Sequence, residues 1–454
     1  MTRPAATPAD DWHALLRPDV ELGADFCRRF ADGLRARRLT FGDRVHCPFL
    51  RPFFLTPDDE RRVRAVAETI AALGERVGQQ AVRDPGLLEQ FALTPAEERL
   101  VRIDPGYPTV STSSRLDAFL LPDSLWFAEY NAESPAGMGY TDTLREVFEE
   151  LEVMRRFEAR YVVRASPLTP ALLAALTKSY REFGGAASPP TVAIVDWREV
   201  PTWSEFEILR DRFDRLGTPT IVCDPRDLVF DGRTLTAAGR RIDLVYRRVL
   251  TSDIIERPAE CDALVRAYEA RAACLANNLR CKICQKKTFF AVLTDARNKR
   301  LFSEDEREIV RRHVPWTRTL ADVRTEQADK EIVLLEHVRR RRNELVIKPS
   351  DEYGGKGVVL GWETSEAAWD RAIDEALADR PGRWIVQARI PVRHDRFPRF
   401  EPGASATFGE MLVDFAPYLF GGKLVGYLTR LSASGLANVT SGGGQVPAFV
   451  VEPR

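Results

Sequence analysis

Arg115, Asp117, Glu129 and Asn131 are the residues whose types and spacing are best suited to chemistry. They lie in RLDAFLLPDSLWFAEYN, two short apolar runs joined by a Pro-Asp-Ser turn, a pattern that predicts a β-hairpin. Residues two apart in a strand share a face, so Arg115 projects with Asp117, and Glu129 with Asn131. Two carboxylates and an amide oxygen are hard oxygen ligands, suited to a Mg2+ ion that phosphates also hold. Arg115 could stabilise charge on a transferring phosphoryl group. A solvated hairpin face is the competing reading of the same residues.

A second constellation lies more than two hundred residues further on, in ELVIKPSDEYGGKGVVLG, residues 344–361. The run LVIK reads as a strand ending at Lys348, a turn rich in Pro, Ser, Asp and Gly follows, and GVVLG returns as a second strand. Without side chains, Gly354, Gly355 and Gly357 let backbone N–H groups approach a polyphosphate, and Lys348 and Lys356 supply point charges. The loop is not a Walker A motif, which requires its lysine after the second glycine at a helix start. A plain hairpin with a glycine turn remains the alternative.

The elements that must position these groups follow from periodicity. Residues 1–100 read as helical, as in DDERRVRAVAETIAALGERVGQQAV, interrupted by HCPFLRPFFLTP (46–57), a strand or buried loop. Residues 101–165 carry the hairpin and then one long helix, TDTLREVFEELEVMRRFEARY. Residues 166–262 read as a small α/β module: the strands TVAIVDW, PTIVCD and IDLVYRR, the helix WSEFEILRDRFDRLG, and a hairpin through Asp231-Gly232. That order suggests parallel, Rossmann-like strands, although no GxGxxG follows a strand and dinucleotide binding is not supported. In 263–454, the stretch to 295 looks helical, 300–345 is charged and mostly helical, and the remainder alternates strands with glycine-rich turns.

Bulk properties exclude several classes. The chain has 454 residues, enough for two or three packed units, with 44% hydrophobic and 29% charged residues, the balance of a globular protein. Lys plus Arg number 66 against 67 Asp plus Glu, so net charge recruits neither nucleic acid nor an anionic membrane. No signal-peptide core and no bilayer-length apolar run is present, and a cytoplasmic location is expected. Seven scattered cysteines argue against a disulfide framework. Cys281 and Cys284 form a CxxC with only Cys274 nearby, short of the four ligands of structural zinc. Cys27, Cys47, His13 and His46 show no nucleophile pairing, because His46 and Cys47 are adjacent and a strand would point them to opposite faces. The basic run at 339–342 reads as a solvated helix end, with an anion site as the alternative.

Asp117, eleven residues, Glu129, one residue and Asn131, with Arg115 two before the aspartate, resemble the metal-binding pattern of the glutathionylspermidine synthase superfamily. FAEYNAESPAG is similar to that family's stretch leading into phosphate-contacting serines; Ser134 matches one, whereas Ala136 stands in place of a second. CQKKTFFAVLTD resembles the helix whose lysine reaches the nucleotide, which implies Lys287 for that role, with Lys286 beside it. VPWTR (314–318), VIKPSDEYGGKG, RWIVQARI (383–390) and RLSASGLANVTSGGGQVPAFVV (430–451) follow in the order of circularly permuted ATP-grasp proteins. Ordinary ATP-grasp enzymes place the phosphate lysines and glycine loop before the metal Glu and Asn, and here the metal hairpin comes first.

The resemblance implies an α/β (α+β) fold, a permuted ATP-grasp with a Rossmann-like module and a helical N-terminal region. It implies ATP and Mg2+ as cofactors: Asp117, Glu129 and Asn131 on the metal, Lys287, Lys348, Gly354, Gly355, Lys356, Gly357 and Ser134 on phosphates, and Gln387 and Ala388 beside the base. Arg115 and Arg430, with Asn438 next to the glycines of 441–444, become candidates for the transferring group or substrate. The implied activity is ATP-dependent ligation of a small-molecule or peptide carboxylate to an amine through an acylphosphate. A small-molecule phosphotransferase and a non-catalytic ATP-binding scaffold are the alternatives.

Overall fold

The computed structural model describes residues 7–352, 354–433 and 443–454. Its centre is a six-stranded antiparallel sheet made from both ends of the chain. Gly444–Val446, Lys423–Ser432, Thr407–Phe420, Ser113–Leu120 and Leu125–Asn131 lie in that order, and Arg393–Arg399 pairs with the first half of Thr407–Phe420. Tyr418 pairs with Arg115 and Phe415 with Ala118, so the predicted hairpin adds directly to a strand three hundred residues later. Phe53–Leu55, inside the proline-rich break, joins Ala448–Pro453 and Tyr161–Arg164 in a small sheet.

The helix Pro57–Ala81 backs the hairpin. Thr56 forms a capping box with Asp59, Pro57 fills the first turn, and Val63, Ile70, Leu73 and Val77 bury one face. Its glycines set the approach distance. A Cβ on Gly74 would stand 2.8 Å from the Tyr130 ring, and one on Gly78 would stand 2.9 Å from Val110. Tyr130 lies between Glu129 and Asn131, so this close packing fixes the strand that presents them.

A four-stranded antiparallel sheet, Thr317–Thr319, Trp384–Ala388, Leu345–Pro349 and Val359–Leu360, carries Lys348 and Gln387. It has its own core, in which Trp369 and Ile373 of the helix Glu366–Ala378 cover Leu345, Ile347 and Val386. The Rossmann-like module is a parallel sheet ordered Cys274–Ala276, Leu244–Arg247, Val192–Val195 and Thr220–Cys223. Met138, Ile194, Tyr246, Tyr418 and Leu428 share one apolar cluster that welds this module to the central sheet.

Three regions depart from the periodicity. The stretch 300–345, expected to be mostly helical, carries the strands Thr317–Thr319, Arg324–Gln327 and Lys330–Val333 between its helices, because strands of three or four residues are too short to display a period. Cys274–Ala276 is a strand inside a segment expected to be helical, because three buried residues are too few to display an alternation. The long helix expected after the hairpin breaks into Met138–Glu149 and Glu152–Glu158 around an extended Leu151. The Asp231-Gly232 hairpin forms as expected, with the Asp231 carboxylate accepting from Arg233 N and Thr234 N. Among the described residues no helix is long and apolar enough to cross a membrane.

Asn277, which follows the short strand, staples the hairpin to the module. Its Oδ1 accepts from Ser113 N at 2.8 Å, and its Nδ2 donates to Ser113 O, Ala132 O and Glu133 O within 3.0 Å. The side chain is buried, so no water replaces these bonds on truncation. We expect Asn277→Ala to cost about 2–4 kcal/mol in denaturant unfolding, several orphaned backbone groups at once. A midpoint equal to that of the parent would show that the staple is dispensable.

Candidate active site

A β-bulge decides what the hairpin presents. Arg115 pairs with Asn131 and Asp117 with Glu129, but Ala118 pairs with Phe127, which leaves Ala128 as the extra residue. Without that residue the register would slip by one, and Glu129 and Asn131 would face away from Asp117. With it, all four polar side chains stand on one face.

On this face Arg115 holds Asp117 bidentately, Nε to Oδ1 at 2.7 Å and Nη2 to Oδ2 at 3.2 Å, and donates a third bond to Ala136 O at 3.0 Å. Arg430 Nη2 reaches the same Asp117 Oδ2 at 2.5 Å and also contacts Asp414. Burial alone would raise the Asp117 carboxyl, but Arg115 and Arg430 outweigh it and hold the group well below the usual carboxylate range. Asp414 behaves oppositely: burial, with the Asp117 charge close by, holds its carboxyl above that range against the pull of Arg430.

Glu129 accepts from Asn131 Nδ2 at 3.2 Å and pairs with Lys287 Nζ at 3.3 Å. Lys287 also donates to Glu352 O at 2.6 Å, which ties the metal-type carboxylate to the turn that opens the glycine loop. Lys348 approaches from the other sheet and donates to Gln387 Oε1 at 2.7 Å, while Gln387 Nε2 is fixed on Thr317 Oγ1 at 3.0 Å. Burial lowers the Lys348 ammonium to about 8; Glu129 and Asp117 pull it up, and Lys287 pushes it down.

These groups line one cavity of about 480 Å3, which Asp117, Glu129, Asp414 and Arg430 enter from the central sheet, Lys348 from the four-stranded sheet and Lys287 from the start of the helix Thr288–Thr294. Gly354, Gly355 and Lys356 border it, and Val346, Leu360, Trp362, Ala388, Ile390 and Leu412 add apolar walls beside the charged groups. Charged side chains suit an anion and apolar walls a flat ring. Gly357 acts next to the cavity: its φ is +72°, and a Cβ there would stand 2.7 Å from Pro349 Cγ, so any side chain would push the loop off its strand.

The donor set fits magnesium held together with phosphates. Among the described residues no group of three or more His, Cys, Asp or Glu side chains is arranged to hold a metal ion. Magnesium rarely asks for such a cage, since one or two carboxylates, waters and substrate phosphates complete its shell. Glu129, Asn131 and Asp117 share one face of the hairpin, and of these Asp117 and Glu129 line the cavity together with Lys287 and Lys348, whereas Asn131 stands behind Glu129.

Several candidates from the sequence lie elsewhere. Ser134 Oγ donates to Arg248 O at 2.7 Å, toward the Rossmann-like module rather than this cavity. Lys286 is buried against Glu97 at 3.1 Å, so only its neighbour Lys287 reaches the cavity. Arg115 is spent on Asp117 and Ala136 and acts through them. The Gln387 side chain orients Lys348, and Lys356 extends into solvent beside Glu352. Asn438 lies outside the described residues, as do 441 and 442 of the adjoining glycine run. Arg339, Arg340 and Arg341 pair with Asp370, Asp374, Glu336 and Glu344, and Arg342 binds carbonyls, so no anion site forms there. All seven cysteines are buried and free, and Cys281 Sγ accepts from Arg247, which fits no zinc site.

The sequence reading missed a buried charge network behind the cavity. Glu133 pairs with Arg247 at 3.0 Å, accepts from Thr251 N at 2.7 Å and lies 3.6 Å from Lys282, which binds Asp351 at 2.6 Å. Asp351 opens the glycine loop, so the network links both sides of the cavity. Its only advance signal was Glu133 two residues beyond Asn131. Asp414 was missed as well: a lone carboxylate inside MLVDFAPYLF reads as a chance polar position.

The model of the circularly permuted ATP-grasp type 2 family matches residues 121–432, beginning just after Asp117. A Frankia alni protein bearing the name "Putative glutamate–cysteine ligase 2-3" is 26% identical across 97% of this chain and 52% of its own length. A Frankia casuarinae protein named "Putative glutamate–cysteine ligase 2-2" is 24% identical across 90% of this chain and 48% of its own. The chain thus spans about half the length of these curated relatives. Its backbone superposes on a glutathione synthetase-like effector from Globodera pallida with a TM-score of 0.62, at 11% identity, covering 96% of this chain and 98% of that one. The matched span, most of the chain, and the hairpin that precedes Lys287 and Lys348 agree: this protein belongs to the circularly permuted ATP-grasp type 2 family.

Proposed function

We propose that the protein is an ATP-dependent ligase that joins a small-molecule or peptide carboxylate to an amine, releasing ADP and phosphate. The observation that carries this reading is the meeting of Asp117 and Glu129 with Lys287 and Lys348 in one cavity that also has apolar walls. The ligase names of the Frankia relatives support a carboxylate and an amine as substrates.

In this reading Val346, Leu360, Ala388 and Leu412 enclose the base, and Lys287, Lys348 and the N–H groups of Gly354 and Gly355 hold the phosphates. Glu129, Asn131 and Asp117 would hold magnesium, which would supply positive charge to the phosphate oxygens. Arg430, which lines the cavity, would stabilise the charge of the transferring group, while Arg115 keeps the Asp117 carboxylate in place. The substrate carboxylate attacks the γ-phosphoryl group, and the amine then displaces phosphate from the acylphosphate. The glycine loop, closing over the cavity, excludes water from that step.

A screen of carboxylate and amine pairs for ADP release, with mass analysis of the product, tests the proposal. An amide with free phosphate is the expected result. Phosphate retained on the substrate would make the protein a phosphotransferase, and nucleotide binding without turnover on any pair would leave a scaffold.

Lys348 supplies a pH test. With its ammonium lowered to about 8, it is charged below that pH and neutral above it. Nucleotide affinity is therefore expected to fall as pH rises through about 8, and binding near that pH to take up a proton. Calorimetry in buffers of different ionisation heat measures both. Lys348→Met should bind more weakly, by about tenfold or more, and lose the slope. A slope that survives in the variant would assign it to another group.

A further inference from the structure

Asp117 has little room for a cation in this structure. Arg115 occupies both of its oxygens and is itself anchored on Ala136 O, whereas Arg430 touches Asp117 through the single atom Nη2. Of the two guanidiniums, Arg430 is the one that can leave.

Its destination is built. Asp414 and Arg430 are direct cross-strand partners, and Arg430 Nη2 already contacts Asp414 Oδ2. Asp414 Oδ1 and Arg430 Nε are both buried with no hydrogen-bond partner among the described residues. A small rotation of Arg430 toward Asp414 would pair Nε with Oδ1 and keep Nη2 on Oδ2, a bidentate ion pair that satisfies both orphaned atoms. Leaving a buried donor and acceptor unpaired is costly, so a structure that retains the two side by side has a second arrangement available to it.

We propose that Asp414 is a positioning residue that receives Arg430 when a divalent cation takes Asp117, so that Arg430 is exchanged between two carboxylates as the metal arrives. This rests on the reading of the cavity as a metal-nucleotide site and adds to it a residue with no place in the hairpin motif. The exchange keeps a cation on each carboxylate: magnesium on Asp117 and the guanidinium on Asp414. Without Asp414 the displaced guanidinium would sit buried, unpaired and next to the metal, and the metal would bind poorly.

The test is calorimetric titration of ADP into the full chain at a series of Mg2+ concentrations. The Mg2+ requirement of Asp414→Asn should rise about tenfold, with metal-free ADP binding no weaker than in the parent, since a carboxylate is lost from an anion site. Arg430→Gln removes the competitor, so the double variant Asp414→Asn/Arg430→Gln should return to the parent requirement. A rescue of this kind is not what a merely structural role predicts: a loosened strand would weaken metal-free binding too and would not be repaired by a second substitution. An unchanged Mg2+ requirement in Asp414→Asn, or a deficit that persists in the double variant, overturns the exchange. ADP binding by the parent with no dependence on Mg2+ would instead remove the metal-nucleotide reading itself.

Discussion

Glu129→Ala should abolish Mg2+-dependent ADP binding and lower ATP turnover by about a thousandfold, some 4 kcal/mol of transition-state stabilisation, while leaving the protein folded. Asp117 is already engaged by two arginines, so Glu129 is the carboxylate most available to a metal. The Glu129 side chain retains 27% exposure, and on its removal Lys287, 10% exposed, keeps only the Glu352 carbonyl while the buried Lys348 keeps Asp117 nearby. The stability cost is accordingly moderate, about 1–2 kcal/mol. Calorimetry and a coupled ADP assay measure the first effect and thermal melting the second. Turnover equal to that of the parent would remove the metal assignment, and a collapsed melting transition would make Glu129 a structural residue.

Glu133→Ala should have the largest effect on stability, a loss of about 3–5 kcal/mol in denaturant unfolding. Glu133 and its two cationic partners, Arg247 and Lys282, have side chains no more than 2% exposed. Burial would raise the Glu133 carboxyl, but Lys282 and Arg247 outweigh it and keep it ionised. Removing it leaves Arg247 on carbonyls and a cysteine and Lys282 on Asp351, with a charge uncompensated in a dry interior. Glu133→Gln keeps the shape and accepts from Thr251, so it should fall between the parent and the alanine variant. Because Lys282 also anchors Asp351 below the glycine loop, nucleotide affinity should fall together with stability. An alanine variant whose midpoint matches the parent would show that the network is incidental.

How much of this was legible beforehand depends on the range of the interaction. Asp231-Gly232, the amphipathic helix after Pro57 and the glycine loop were readable because a few neighbouring residues specify each. Three residues of buried strand at Cys274–Ala276 were not, since so short a segment carries no period. Ser134 was read from a resemblance in spacing, and its hydroxyl turned to the Arg248 carbonyl because the loop after Asn131 packs on the Rossmann-like module. Lys286 and Lys287 were adjacent candidates that only the third dimension could separate, with Glu97 taking one and Glu129 the other.

The amino-acid sequence determined which groups are present and the local geometry that offers them: polar side chains at a two-residue period, lysine at a strand end, glycines where the backbone turns left-handed. Those properties come from covalent chemistry and short-range sterics and need no partner. Tertiary structure decided the rest. The Ala128 bulge brought Glu129 onto the face of Asp117, the pairing of Ser113–Leu120 with Thr407–Phe420 delivered Asp414 and Arg430, and packing of two sheets set Lys348 opposite them. Each is a long-range contact whose strength depends on burial, and burial exists only once the chain has closed on itself.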